Sequence, residues 1–131
     1  MDIFSHIFFG ILFAKDISLW VVFGSIFPDL DRFYSYSKGK FFKYKSRTWW
    51  HELPFLSIVI LIGLILKIYP FVLGIISHIF LDFITGSTRT FYPIIKEVID
   101  FNLSKKNKIL LGVIIWVIGI VFIASSMEFL V

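Results

Sequence analysis

The sequence predicts an all-α integral membrane protein: two short helical hairpins forming a four-helix bundle, an interfacial helix and one C-terminal transmembrane helix. Three observations carry that expectation. Apolar residues fill 58% and charged residues only 17% of 131 positions, where a soluble domain is about half apolar and a quarter charged. Uncharged apolar runs cover residues 3–14, 17–28, 53–66, 68–81 and 109–127, and the mean hydropathy is +0.89. The first four runs join in pairs across very short polar connections, at Lys15-Asp16 and at Lys67, and so tight a link between helices makes an antiparallel hairpin.

The first hairpin takes runs 3–14 and 17–28, the second 53–66 and 68–81. Helices of 12 to 14 residues cover about 18–21 Å, less than the roughly 30 Å of a bilayer core. They are therefore expected to thin the bilayer, extend into their flanks or stop partway as re-entrant hairpins. Pro28 closes the second run, because proline cannot continue a helix interior. The loop 32–47 carries Arg32, Lys38, Lys40, Lys43, Lys45 and Arg47, and the segment 85–108 carries Arg89, Lys96, Lys105, Lys106 and Lys108. Within that second segment, Ile94, Ile95, Val98, Ile99 and Leu103 recur at roughly helical spacing, as in a helix lying on the membrane surface. Run 109–127 alone has the length of an ordinary span.

Each hairpin returns to its own side, so every basic residue except Lys15 and Lys67 falls on one face. The positive-inside rule then places both long loops and the N-terminus in the cytoplasm and the C-terminus outside, in a multi-pass cell-membrane protein. Trp20, Trp49 and Trp50 fall at helix ends, as in an aromatic belt, whereas Trp116 falls mid-span. Residues 1–9 carry an acid rather than a basic n-region, with no small-residue cleavage site following, so the first apolar stretch is expected to remain in the protein. Six of the eight glycines, Gly10, Gly24, Gly63, Gly74, Gly112 and Gly119, lie inside apolar runs, which suits close helix packing. Cysteine is absent, which excludes a disulfide framework, thiol catalysis and thiolate-ligated metals.

With charge so scarce, ionisable groups at the edges of apolar runs are informative, because placing them in a membrane segment costs at least a few kcal/mol. His6, Asp29 with Asp31, His51, and His78 with Asp82 all converge on the cytoplasmic end of the expected bundle. His78 and Asp82 stand four apart, so a helix stacks them on one face, and Gly74 continues that ridge where a neighbour can approach. Gly10 and Ala14 extend the ridge of His6 in the same way. Three imidazoles and three carboxylates without thiolate suit a divalent metal: Zn, with Mn or Fe as alternatives, in a mononuclear or two-metal site. Each group also has a plainer reading. A satisfied polar residue accounts for His6 alone, an interhelical hydrogen bond for His78 and Asp82, and helix capping or pairing with bases for Asp29 and Asp31. The basic aromatic loop 32–47 suits anionic lipid, so no nucleic-acid partner is expected.

In order and spacing these residues resemble the YdjM-type membrane-bound metal-dependent hydrolases. The resemblance rests on His6, Pro28-Asp29-Leu30-Asp31, Arg47 with His51, Ser77-His78 with Asp82 and Thr85, then Gly86 and Tyr92-Pro93, over about residues 1–95. It implies a hydrolase-like helical bundle over 1–108, with 109–131 a C-terminal transmembrane helix of the same unit. That family is distantly similar to the helical zinc-dependent phospholipase C and single-strand nuclease group, which implies a phosphoester substrate, with a phospholipid as one candidate. The chain departs from the family pattern around His51, where Trp50 and Glu52 replace hydroxyl residues and Ser46 replaces a histidine. Glu52 is open to two readings, an added ligand or base and a helix-start carboxylate favoured by the dipole.

The expected chemistry is metal-assisted hydrolysis at the cytoplasmic interface. His6, Asp29, Asp31, His51, His78 and Asp82 are the expected ligands, a metal-activated water the nucleophile and Glu52 a candidate base. Arg47 and Arg89 are expected to bind an anionic phosphoester reaching the site from the lipid, since arginine suits bidentate phosphate contact. Ser87 and Thr88 suit either an anion-binding turn or an ordinary polar loop. The class alternative is a non-catalytic membrane protein with a structural or regulatory metal site. A transporter would need polar residues through the full membrane depth, and the outer half of the runs lacks them.

Overall fold

A computed structural model of the chain describes residues 3–30, 53–85 and 103–128. All regular structure among them is helical: α1 Ile3–Ala14, α2 Leu19–Ile26, a 3-10 turn Phe27–Asp29, α3 Leu53–Ile65, α4 Tyr69–Thr85 and α5 Lys105–Glu128. The expected interfacial helix, both basic loops, Trp49 and Trp50 lie outside the described residues, apart from Leu103, Lys105, Lys106 and Lys108.

The helices follow the apolar runs with two instructive differences. Helix α2 stops at Ile26, and the chain tightens into the 3-10 turn with Pro28 near its start. Proline has no N–H for the carbonyl four residues back and its ring crowds that carbonyl, so α-geometry cannot continue. Helix α4 instead runs four residues past its apolar stretch to Thr85, which places Asp82 inside the helix. Both hairpin turns share one construction. Lys15 and Lys67 have positive φ, 53° and 58°, in the position after a helix end that usually takes glycine. Beyond them, the N–H of Asp16 bonds back to Ile11 at 3.3 Å and that of Ile68 to Gly63 at 2.9 Å, closing the carbonyls each helix leaves open. Asp16 then accepts hydrogen bonds from the Ser18 N–H and Oγ at 2.9 and 3.0 Å, turning the chain into α2.

Packing centres on α4, which meets α1, α2 and α3, while α1 also meets α2 and α5. The closest pair is α2 with α4, where two glycines face each other. A Cβ on Gly74 would stand 2.5 Å from the Val21 carbonyl oxygen, and one on Gly24 would run into the Phe71 carbonyl. The two backbones are thus in direct contact, as small residues permit in membrane helices. Helix α5 rests on α1 through Gly119 beneath Phe8 and through Trp116, whose ring lies 5.7 Å from that of Phe4. The Trp116 indole N–H donates to Ser5 Oγ at 3.1 Å. A mid-span tryptophan that belongs to no aromatic belt is therefore an interhelical tie.

Among the described residues, one helix is long and apolar enough to cross a membrane: Lys105–Met127, with mean hydropathy 2.7. Only 17% of its apolar window is buried, which sets it apart from the core helix of a soluble protein, and Ile109, Val113, Val117 and Val121 all face outward. The other four helical segments are shorter and apolar.

Candidate metal centre

Helix α4 carries the centre. Gly74, His78 and Asp82 follow at intervals of four on its buried face. Because Gly74 has no side chain, α2 settles close enough for the Ser25 carbonyl to reach His78 Nδ1 at 2.6 Å. A carbonyl only accepts, so Nδ1 carries a proton and Nε2 is the nitrogen left to present a lone pair to a metal. Metal-binding histidines are held in this way by a second hydrogen bond on the far nitrogen. Helix α1 then lays the His6 ring flat on that of His78, centroids 3.9 Å apart and 18° from parallel. Gly10, one turn along, leaves room for Ser25 and Ser77. The 3-10 turn that follows from Pro28 brings Asp29 to His78 as well.

Four candidate donors meet here. His6 Nε2 lies 3.4 Å from Asp82 Oδ1, and His78 Nε2 lies 3.7 Å from Asp82 Oδ2 and 3.9 Å from Asp29 Oδ1. His6, His78 and Asp82 each offer a donor atom within 4.8 Å of the others. Zinc binds nitrogen and oxygen at about 2.0–2.2 Å, which sets tetrahedral donors roughly 3.4 Å apart, so these separations suit atoms surrounding an ion better than atoms sharing a proton. Burial points the same way. His6 and Asp29 are 0% exposed, His78 1% and Asp82 2%, and carboxylates this deep call for a cation or a proton beside them. Neither ring nitrogen of His6 meets hydrogen-bond geometry with a described residue, and its Nε2 faces the Asp82 carboxylate, as suits a metal donor. The residues fit a divalent metal.

The structure thus brings together His6, Asp29, His78 and Asp82. Asp31, His51 and Glu52 lie outside the described residues, as do Arg47, Arg89, Ser87 and Thr88. The Ser25 carbonyl escapes sequence reading because the working atom belongs to the main chain, which every residue type shares. Ser5 is equally hidden. It adjoins His6 and receives the Trp116 hydrogen bond, yet a serine in an apolar run signals nothing about a partner 111 positions away.

Across residues 1–131, its whole length, the chain matches the family YdjM inner membrane protein, and it belongs to that family. No curated protein matches it. No solved structure matches it either.

Proposed function

We propose that this member of the YdjM inner membrane family is a metal-dependent hydrolase acting on a phosphoester, a phospholipid in the first instance, at the cytoplasmic face of the membrane. The observation that carries the reading is the buried group of His6, His78 and Asp82, with donor atoms within 4.8 Å of one another. In this reading the first four helices form a membrane bundle, with the N-terminus cytoplasmic and the C-terminus outside. His6, His78, Asp29 and Asp82 hold the metal, and Asp31 and His51 complete the set. A divalent ion here, Zn²⁺ or else Mn²⁺ or Fe²⁺, supplies Lewis acidity and lowers the pKa of water at the site.

The chain's own groups do the positioning. Asp82 faces the stacked imidazoles with one carboxylate oxygen towards each Nε2 and gives them a common point. The Ser25 carbonyl keeps the His78 proton on Nδ1, leaving Nε2 available. Arg47 and Arg89 bind the phosphoester oxygens, where a planar guanidinium reads an anion through paired hydrogen bonds. Glu52 is the candidate base.

The test is metal analysis of the purified protein, with phosphodiesterase and phosphomonoesterase assays, on wild type, His78→Ala and Asp82→Ala. Metal and activity lost together in both variants are the expected result. Full metal content in both would sink the shared site. A second reading, a structural or regulatory metal without catalysis, draws support from the depth of the four donors, none more than 2% exposed. Metal lost on mutation, with wild type hydrolysing neither ester class, would favour it.

A further inference from the structure

Helix α5 presents a groove of about 520 Å³ along one stripe. Lys105 and Lys108 flank its upper end, and Ile109, Val113, Val117 and Ile120 continue down it. We propose that this groove binds a single anionic glycerophospholipid, with the phosphate at Lys105 and Lys108 and one acyl chain along the apolar stripe. The assignment stands apart from the hydrolysis proposed above.

Three features define the occupant. The first turn of α5 contains no acidic residue, and Lys105, Lys106 and Lys108 crowd its start instead. A helix N-terminus is the positive end of the backbone dipole, so three cations there disfavour one another and the dipole, and an anion offsets both. No acid follows on α5 before Glu128. Next, the stripe from Ile109 to Ile120 rises about 17 Å at 1.5 Å per residue, close to the depth of one leaflet in a core of about 30 Å. Finally, the lower groove is lined by apolar side chains. Its one polar side-chain group, the Trp116 N–H, is committed to Ser5, and the exposed groups around it are aliphatic. A charged head over a leaflet-long apolar wall matches a phospholipid. A second copy of α5 in parallel register would instead set like lysines against like.

The experiment takes the full chain in detergent micelles, adds phosphatidylglycerol or phosphatidylcholine of identical acyl chains, and counts retained lipid by native mass spectrometry, with helicity checked by circular dichroism. Wild type is expected to favour phosphatidylglycerol by about fivefold or more, the ratio that corresponds to about 1 kcal/mol for a basic residue at an anionic lipid. Lys105→Gln with Lys108→Gln brings phosphatidylglycerol down to the phosphatidylcholine level. Val113→Trp, which fills the groove from an exposed position, lowers retention of both lipids, and Lys67→Gln changes neither. Equal retention by wild type, an equal loss in Lys67→Gln, undiminished binding in Val113→Trp, or a dimer in place of a lipid adduct would each overturn the assignment.

Discussion

Replacing Gly74 with alanine tests whether helix contact sets the metal centre. The new Cβ would lie 2.5 Å from the Val21 oxygen and 2.8 Å from the Ser25 nitrogen, both main-chain atoms that no rotamer change can move. Carbon and oxygen are comfortable at about 3.3–3.6 Å, so α2 and α4 must part by roughly 1 Å. The 2.6 Å bond from His78 Nδ1 to the Ser25 carbonyl would then stretch past the usual limit of about 3.2 Å. Alanine gains up to about 1 kcal/mol in helix propensity. Against that stand about 1–3 kcal/mol of overpacking and about 1 kcal/mol for the hydrogen bond, so the variant is expected to be about 1–3 kcal/mol less stable. The sharper readout is affinity, since loss of the partner that orients a metal-binding histidine typically costs 10–100-fold. Zinc titration against a competing chelator measures it, with thermal unfolding alongside. Gly63→Ala is the control, because its Cβ would meet only the tip of the Val72 side chain, at 2.7 Å, and the Phe71 ring. A folded Gly74→Ala protein that binds zinc as tightly as wild type would refute the reasoning, as would an equal loss in the control.

Other outcomes follow from the same geometry. Trp116→Phe keeps the ring packing on Phe4 and Phe8 but removes the donor to Ser5. A double-mutant cycle with Ser5→Ala should show coupling of about 0.6 kcal/mol, up to about 1.7, and strict additivity of the two melting shifts would argue against the tie. Lys67→Gly relieves a left-handed conformation that costs a side-chain-bearing residue about 1–2 kcal/mol. The variant should melt higher by up to about 1 kcal/mol of stability, and a lower melting point would show that the lysine contributes more than its backbone strain costs. Stripping metal with a chelator should lower wild-type stability, by about 2.7 kcal/mol if free metal had stood at a hundred times its dissociation constant. An unchanged melting curve would leave the buried carboxylates balanced by something other than an ion.

Composition and run lengths were enough to specify a helical membrane chain, and the bounds of α1 and α3 can be read almost to the residue. The reason is local: an apolar run between charges, with lysine at the turn, offers the backbone little besides a helix. Face relationships within one helix are legible for the same reason, so the spacing of four between His78 and Asp82 announces a shared surface. Pro28 likewise announces the end of α2, though not that the tightened turn buries Asp29. The helix extension to Thr85 is less legible, since Asp82 ends the apolar run by its charge, whereas in the fold it is buried beside His6 of α1 within a continuing helix.

Relations between helices were decided only by the tertiary structure. That His6 stacks on His78, that the Ser25 carbonyl selects the tautomer, and that Trp116 is tied to the residue before His6 depend on how far apart helices sit and how each is rotated. Those quantities are set by contacts such as Gly24 against Gly74, which lie 50 positions apart in the chain and show no periodic signal. Periodicity belongs to one helix at a time, whereas a metal centre belongs to the distances between them. The sequence by itself determined which residues could bind, and the glycine contact decided which atoms meet.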